Sequence, residues 1–293
     1  MPLDLTVLAD NNTLIDQYFL GEPGVSYHLQ TDRSSVLFDT GYSGVFLTNA
    51  HRAGVDLASL DAVVLSHGHI DHTGGLDELI KLLAHQRSRG RHVRPALIAH
   101  PVTLMHKQLS DGSPSGIAVS SDVLSATFQL RPSREPVWID DRLVFLGEIE
   151  RTTAFEAQAT IGLRREANGG LIEDDIPDDS ALAWVGEDGI VVITACSHSG
   201  ICNIVETARR VTGVKRVIDI IGGFHLLDPP EDQLRETVAF LSSLSLQSLH
   251  ACHCTDLRSK IALSEAAPLK EVGSGMRLQY ADCGAETGAS PAR

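Results

Sequence analysis

Positive charge is scarce in this chain. Its 293 residues carry 24 Lys and Arg against 38 Asp and Glu, a formal net charge of -14, and a surface that neutralises phosphates needs clustered cations that such a composition lacks. Nucleic acid is therefore not an expected partner. No apolar run approaches the roughly 20 residues of a membrane-spanning helix, and Met1-Pro2-Leu3-Asp4 lacks the basic start and apolar core of a signal peptide. A cytoplasmic protein with no membrane partner is expected. Paired cysteines are missing too: Cys196, Cys202, Cys252, Cys254 and Cys283 form neither an even framework nor a C-x-x-C array, which argues against disulfides. A buried inert thiol is the ordinary reading of each, and Cys196, Cys252 and Cys254 depart from it by lying within two residues of a histidine.

What is present is a 43% hydrophobic chain able to build a proper core. Short apolar runs stop abruptly at polar residues: 35–38 before Asp39, 62–65 before Ser66, 190–193 before Thr194, 217–221 before Gly222 and 249–251 before Cys252. These read as buried strands whose exit ends carry the unusual residues. Helical segments lie between them, at 75–88 with a stripe of Leu76, Leu79, Ile80, Leu82 and Leu83, and at 230–244 behind Pro229 and Pro230. Strands alternating with helices define an α/β class. The 110–116 stretch reads as a flexible loop, and the acidic 173–179 stretch as a solvated loop rather than a cation site. Neither is a linker and no repeat occurs, so a single domain over 1–293 is expected.

The chemistry concentrates in "LSHGHIDHTGG", 65–75. His67 and His69 on extended or turn backbone reach the same side, and Asp71 and His72 cover an adjacent point. Imidazoles with a nearby carboxylate suit zinc or another first-row metal, so the segment can seat two ions. Further on, Gly222 and Gly223 after a strand permit close approach by a ligand, which places Phe224 and His225 against a substrate cavity, with a structural role for His225 an equal alternative. His100 reads as a pocket wall or structural residue, and His28, His51, His85, His92, His106 and His250 belong to no constellation.

His67-x-His69-x-Asp71-His72 resembles the H-x-H-x-D-H signature of the metallo-β-lactamase superfamily. The resemblance implies a four-layer αββα sandwich, a role for Asp39 in Phe38-Asp39-Thr40-Gly41 in orienting a ligand histidine from behind, and a final metal-binding histidine at His253. "ACSHSGICNIV" (195–205), "IGGFHL" (221–226) and "CHCT" (252–255) are similar to segments of one branch, the 7,8-dihydropterin-6-methyl-4-(β-D-ribofuranosyl)aminobenzene 5'-phosphate synthases and their metal-dependent hydrolase relatives. Ala195 and Asp256 stand where that branch has glycines. The family's third-motif histidine has no counterpart, since no histidine occurs between Lys107 and Ser197. His198 is the favoured replacement ligand, because neutral imidazole binds without a pKa perturbation, and Cys196 is a candidate bridge between two metals or a small buried residue.

The resemblance thus implies two divalent ions, zinc first with manganese or iron as alternatives, held by His67, His69, Asp71, His72, His198 and His253. Asp71 would also orient the attacking water. The reaction expected is hydrolysis of a small anionic, phosphate-bearing or pterin-type substrate. Condensation of a pterin pyrophosphate with an aminobenzene riboside phosphate is one alternative, and a non-enzymatic ligand-binding effector is another. A flavodiiron reductase would carry glutamate at position 69 and a flavin domain. An iron persulfide dioxygenase would not need the 195–205 and 221–226 segments. The 105–179 segment is expected to be a variable pocket wall. Substrate, native metal and oligomeric state, a homo-oligomer included, are not encoded legibly.

Overall fold

The computed structural model describes residues 2–91, 94–166 and 168–281. His92 and Cys283 lie outside them. Two large sheets face each other. The first orders its strands Arg277–Tyr280, Leu3–Ala9, Ser26–Gln30, Ser35–Phe38, Ala62–Val64, Ala96–Ala99 and Gln129–Pro132. The second runs Ser248–Cys252, Val217–Gly223, Ile190–Ile193, Leu182–Val185, Leu143–Phe145 and Val137–Trp138. Residues 35–38, 62–64, 96–99 and 129–132 pair in parallel, as do 190–193, 217–223 and 248–252, while the remaining strands of each sheet pair antiparallel.

Alternation along each strand produces the layers. Val36, Phe38, Val64 and Ile98 of the first sheet meet Phe145, Trp184, Val191, Ile193 and Ile221 of the second in one buried cluster. Their neighbours point the other way. Leu37, Val63 and Leu97 pack with Phe46, Leu76, Leu79 and Leu83 of helices Val45–Ala53 and Leu76–Ser88. Val192 and Ile220 pack with Ile204, Val205 and Leu241 of helices Ile201–Thr212 and Glu231–Ser243. The result is the four-layer αββα sandwich. Strands 35–38, 62–64, 190–193, 217–223 and 248–252 each end on one of the residues singled out above, and the parallel pairing brings the carboxyl ends within each sheet to one edge, where α/β folds bind ligands.

A three-stranded sheet of Leu171–Glu173, Leu163–Arg165 and Lys107–Gln108 lies outside this sandwich. It overturns the reading of 173–179 as a solvated loop. Asp174, Asp178 and Asp179 are fully buried, and Lys107, itself 1% exposed, places Nζ 2.6 Å from Asp174 Oδ2 and 2.8 Å from Asp178 Oδ1. The lysine lies 67 residues away from Asp174 in the chain, so charge pairing that explains the buried carboxylates is invisible to a local reading. Among the described residues no helix is long and apolar enough to cross a membrane.

Gly222 is required where the second sheet delivers its segment to the edge. Its φ is 137°, and a Cβ there would lie 2.1 Å from the Thr194 carbonyl oxygen. Gly222→Ala is expected to cost about 2 kcal/mol or more of stability, read as a lowered urea midpoint; a midpoint unchanged from wild type would show that the strands shift freely to admit the methyl group.

Candidate metal centre

Asp39 organises the edge. It is fully buried and held at φ 58°, a left-handed conformation that non-glycine residues adopt at a cost of about 1 kcal/mol or more. Its Oδ1 accepts the Ser66 N–H at 2.7 Å, and its Oδ2 accepts the Ser66 hydroxyl at 2.6 Å and the His72 Nδ1–H at 2.8 Å. Because the Ser66 proton is committed to Asp39, Ser66 Oγ accepts from His67 Nδ1 at 2.9 Å. One carboxylate therefore fixes two imidazoles with Nδ1 protonated and Nε2 directed into the site. Across the edge Asn11 Oδ1 accepts the Gly24 N–H at 3.4 Å and lies 2.9 Å from His253 Nδ1, which sets the same tautomer there. Asp10 Oδ1 receives the His253 backbone N–H at 3.2 Å.

The remaining groups converge on these nitrogens. His67 Nε2 lies 3.0 Å from His69 Nδ1, and the His198 ring stands 4.7 Å from that of His67 and 4.9 Å from that of His69. Asp71 Oδ2 is 3.4 Å from both His72 Nε2 and His253 Nε2. Cys196 joins two sets of ligand atoms each within 4.8 Å of one another, one with His67 and His198, the other with His72 and His253. Ser197 and His253 take left-handed φ values of 58° and 48°, so strained turns at two strand ends present these side chains.

The chemistry of the donors fits divalent cations. His72 Nε2 and both ring nitrogens of His198 are buried without a hydrogen-bond partner among the described residues, a condition that costs stability unless something else engages them. Burial pushes the imidazoles of His67 and His198 well down and that of His69 to about 4, keeping them neutral as metal binding requires. Burial also opposes charge on His72, yet Asp71 and Asp39 hold it up at about 10. The space between those carboxylates favours a positive charge, whether proton or metal.

Other residues have plainer places. His225 lines a cavity of about 310 Å³ together with Ser197 and His198, but Phe224 is 2% exposed within the helix-side core and not in the cavity wall. Its ring points to the core because the strand continues through Gly223 before the chain turns at His225. Cys252 likewise belongs to the core between the sheets, its Sγ 3.2 Å from the Tyr27 hydroxyl, whereas Cys254 stands at the site. His100 is structural, accepting the Val102 N–H and pairing with Glu148. Asn11, Ser66, Lys107 and Asp178 escaped the sequence reading. Of these only Ser66, adjacent to the histidine cluster after a strand, carried a local signal.

Lys107 and Asp178 reach the centre through Gly68. Asp178 Oδ2 accepts the Gly68 N–H at 2.8 Å, and a Cβ on Gly68 would lie 2.8 Å from Lys107 Cε and from the Thr103 carbonyl oxygen. The turn between His67 and His69 is thus bolted to the outer three-stranded sheet. Lys107→Met would leave buried Asp178 without a cation and buried Asp174 with only Arg164, whose Nε lies 3.5 Å away, and a loss of about 3–5 kcal/mol is expected in chemical denaturation; a loss below about 1 kcal/mol would show the pair to be solvated.

Comparison with known proteins agrees with this architecture. The family model for the metallo-β-lactamase superfamily matches residues 20–159. The 7,8-dihydropterin-6-methyl-4-(β-D-ribofuranosyl)-aminobenzene-5'-phosphate synthase of Methanocaldococcus jannaschii is 27% identical over 268 residues, covering 88% of this chain and 89% of that protein. The crystal structure of Tm1679, a metal-dependent hydrolase of the β-lactamase superfamily, superposes with a TM-score of 0.79 at 27% identity, over 96% of this chain and 100% of that one. A diphosphatase from the PhnP family shares the fold alone, with a TM-score of 0.53 at 18% identity over 96% of this chain and 99% of that one. The family match over residues 20–159, these near full-length similarities and the four-layer fold all make this chain similar to the metallo-β-lactamase superfamily.

Proposed function

We propose that the chain is a metal-dependent hydrolase of a small anionic, phosphate-bearing or pterin-type substrate. The observation that carries this reading is the convergence of His67, His72, His198 and His253 around Cys196, beside a cavity that, among the described residues, is lined by no lysine or arginine. A phosphate or other anion entering there would find countercharge in cations held by the cluster. His67, His69 and His198 would hold one ion, Asp71, His72 and His253 the other, with Cys196 between. Ions in these positions supply Lewis acidity and ease the deprotonation of water near neutral pH.

The chain's own groups do the rest. Asp39 fixes the tautomer of His72 directly and that of His67 through Ser66, so neither ring spends reorganisation energy during turnover. Asp71 faces the site from between His72 and His253 and would orient the attacking water and receive its proton. His225 flanks the cavity and would hydrogen-bond the substrate. Ala157, Gln158, Ala159 and Ile161 contribute to the same wall, so part of specificity would lie in the 105–179 segment of a single 1–293 domain.

A second reading is favoured by the similarity to the archaeal synthase, which extends over 88% of this chain: condensation of a pterin pyrophosphate with an aminobenzene riboside phosphate at the same centre. The test is turnover of a panel of phosphoesters and pterin pyrophosphates by metal-loaded protein. Hydrolysis in water alone, reduced at least about 100-fold in Asp71→Asn, is expected. Pyrophosphate release that occurs only with the aminobenzene present would transfer the assignment to condensation, and turnover unaffected by Asp71→Asn would remove Asp71 from its role.

A further inference from the structure

Cys254 and His225 have no part in the ligand sets above, yet their donor atoms close a third set with Cys196 in which all lie within 4.8 Å of one another. Cys196 Sγ stands 3.2 Å from Cys254 Sγ and 3.7 Å from His225 Nδ1. A tetrahedral cation with metal–sulfur bonds of about 2.3 Å and metal–nitrogen bonds of about 2.0 Å requires sulfur–sulfur and sulfur–nitrogen edges of about 3.8 Å and about 3.6 Å. The Cys196–His225 edge is within about 0.2 Å of such a face, and the two sulfurs need to part by about 0.6 Å to complete it. We propose that Cys196, Cys254 and His225 form a sulfur-rich site for a thiophilic d10 cation of the Zn²⁺ or Cd²⁺ class.

The surroundings are shaped for the second sulfur. The His225 backbone N–H donates to Cys254 Sγ at 3.2 Å, and donation to sulfur favours its thiolate form. Gly223 leaves room for that sulfur, since a Cβ there would fall 2.6 Å from Cys254 Sγ. His225 is held at φ 50°, turning its ring beside Cys196. Two thiolates neutralise a divalent charge, and soft sulfur ligands select soft ions over the oxygen-preferring ones. Because Cys196 is common to all three sets, a thiophilic ion here competes with the histidine-centred arrangement for that sulfur. A protein of this design discriminates among metals at one shared thiolate.

The site stands on its own donor atoms and does not depend on which reaction the centre performs. Its test is cadmium titration of the metal-free, phosphine-reduced full chain carrying Cys283→Ser, followed by the ultraviolet sulfur-to-cadmium charge-transfer band. The first equivalent is expected to give the amplitude of two thiolates. Cys254→Ser and Cys254→Ala should each halve it, and His225→Ala should keep the amplitude while weakening affinity at least about tenfold. His67→Ala/His69→Ala should leave the band intact, so that failure of the hydrolase reading and failure of this site are separable. A one-thiolate amplitude insensitive to both Cys254 variants, or a band lost in the paired histidine variant, would overturn the proposal.

Discussion

The edge of the sandwich depends on the buried carboxylate of Asp39. Three hydrogen bonds from Ser66 and His72 converge on it, and through Ser66 it reaches His67 as well. A charged group at 0% exposure persists only when its desolvation is compensated by such donors. Compensation has a structural consequence: both imidazoles lose rotational and tautomeric freedom, and both direct Nε2 inward. The strain of the left-handed turn at Asp39 is stored where the first sheet hands its chain to the site, as strained backbone often is.

Around this anchor the structure repeats one device, a polar group from another part of the chain holding a ligand candidate from behind. Asn11 and Asp10 hold His253, and Asp178 with Lys107 holds the turn at Gly68. Each contact links segments distant in sequence, so the geometry of the site is a property of the completed sandwich. A local peptide carrying 65–75 would contain His67, His69, Asp71 and His72 but none of their supports except Ser66. Whatever binds the assembled cluster would therefore stabilise the native state alone.

The strands were legible because buried parallel strands are short apolar runs with abrupt ends, and the runs at 35–38, 62–64 and 190–193 are nearly all β-branched or aliphatic. The same ends marked His67, Cys196 and His198, which the fold brings together. What local pattern could not convey was pairing across distance. Asp174 and Asp178 looked like surface residues because nothing near them in the chain signals Lys107, and nothing near Asn11 signals a partner 242 positions away. Phe224 was misplaced for a different reason: glycines before it announce close approach, but they do not say which side of the strand receives the next ring. Cys252 and Cys254 share the same histidine neighbour, and strand alternation would put both on one face; the strand ends at Cys252 and the left-handed turn at His253 sends one to the core and the other to the site.

The central claim is that the histidine cluster binds metal, and the most direct test is metal content per chain after exhaustive desalting, measured by elemental mass spectrometry for the wild type, His198→Ala and His253→Ala. About two first-row divalent ions in the wild type, with about one lost in each variant, is the expected result. A wild type that retains no metal when supplied with zinc, manganese or iron, or variants that retain as much as the wild type, would contradict the account.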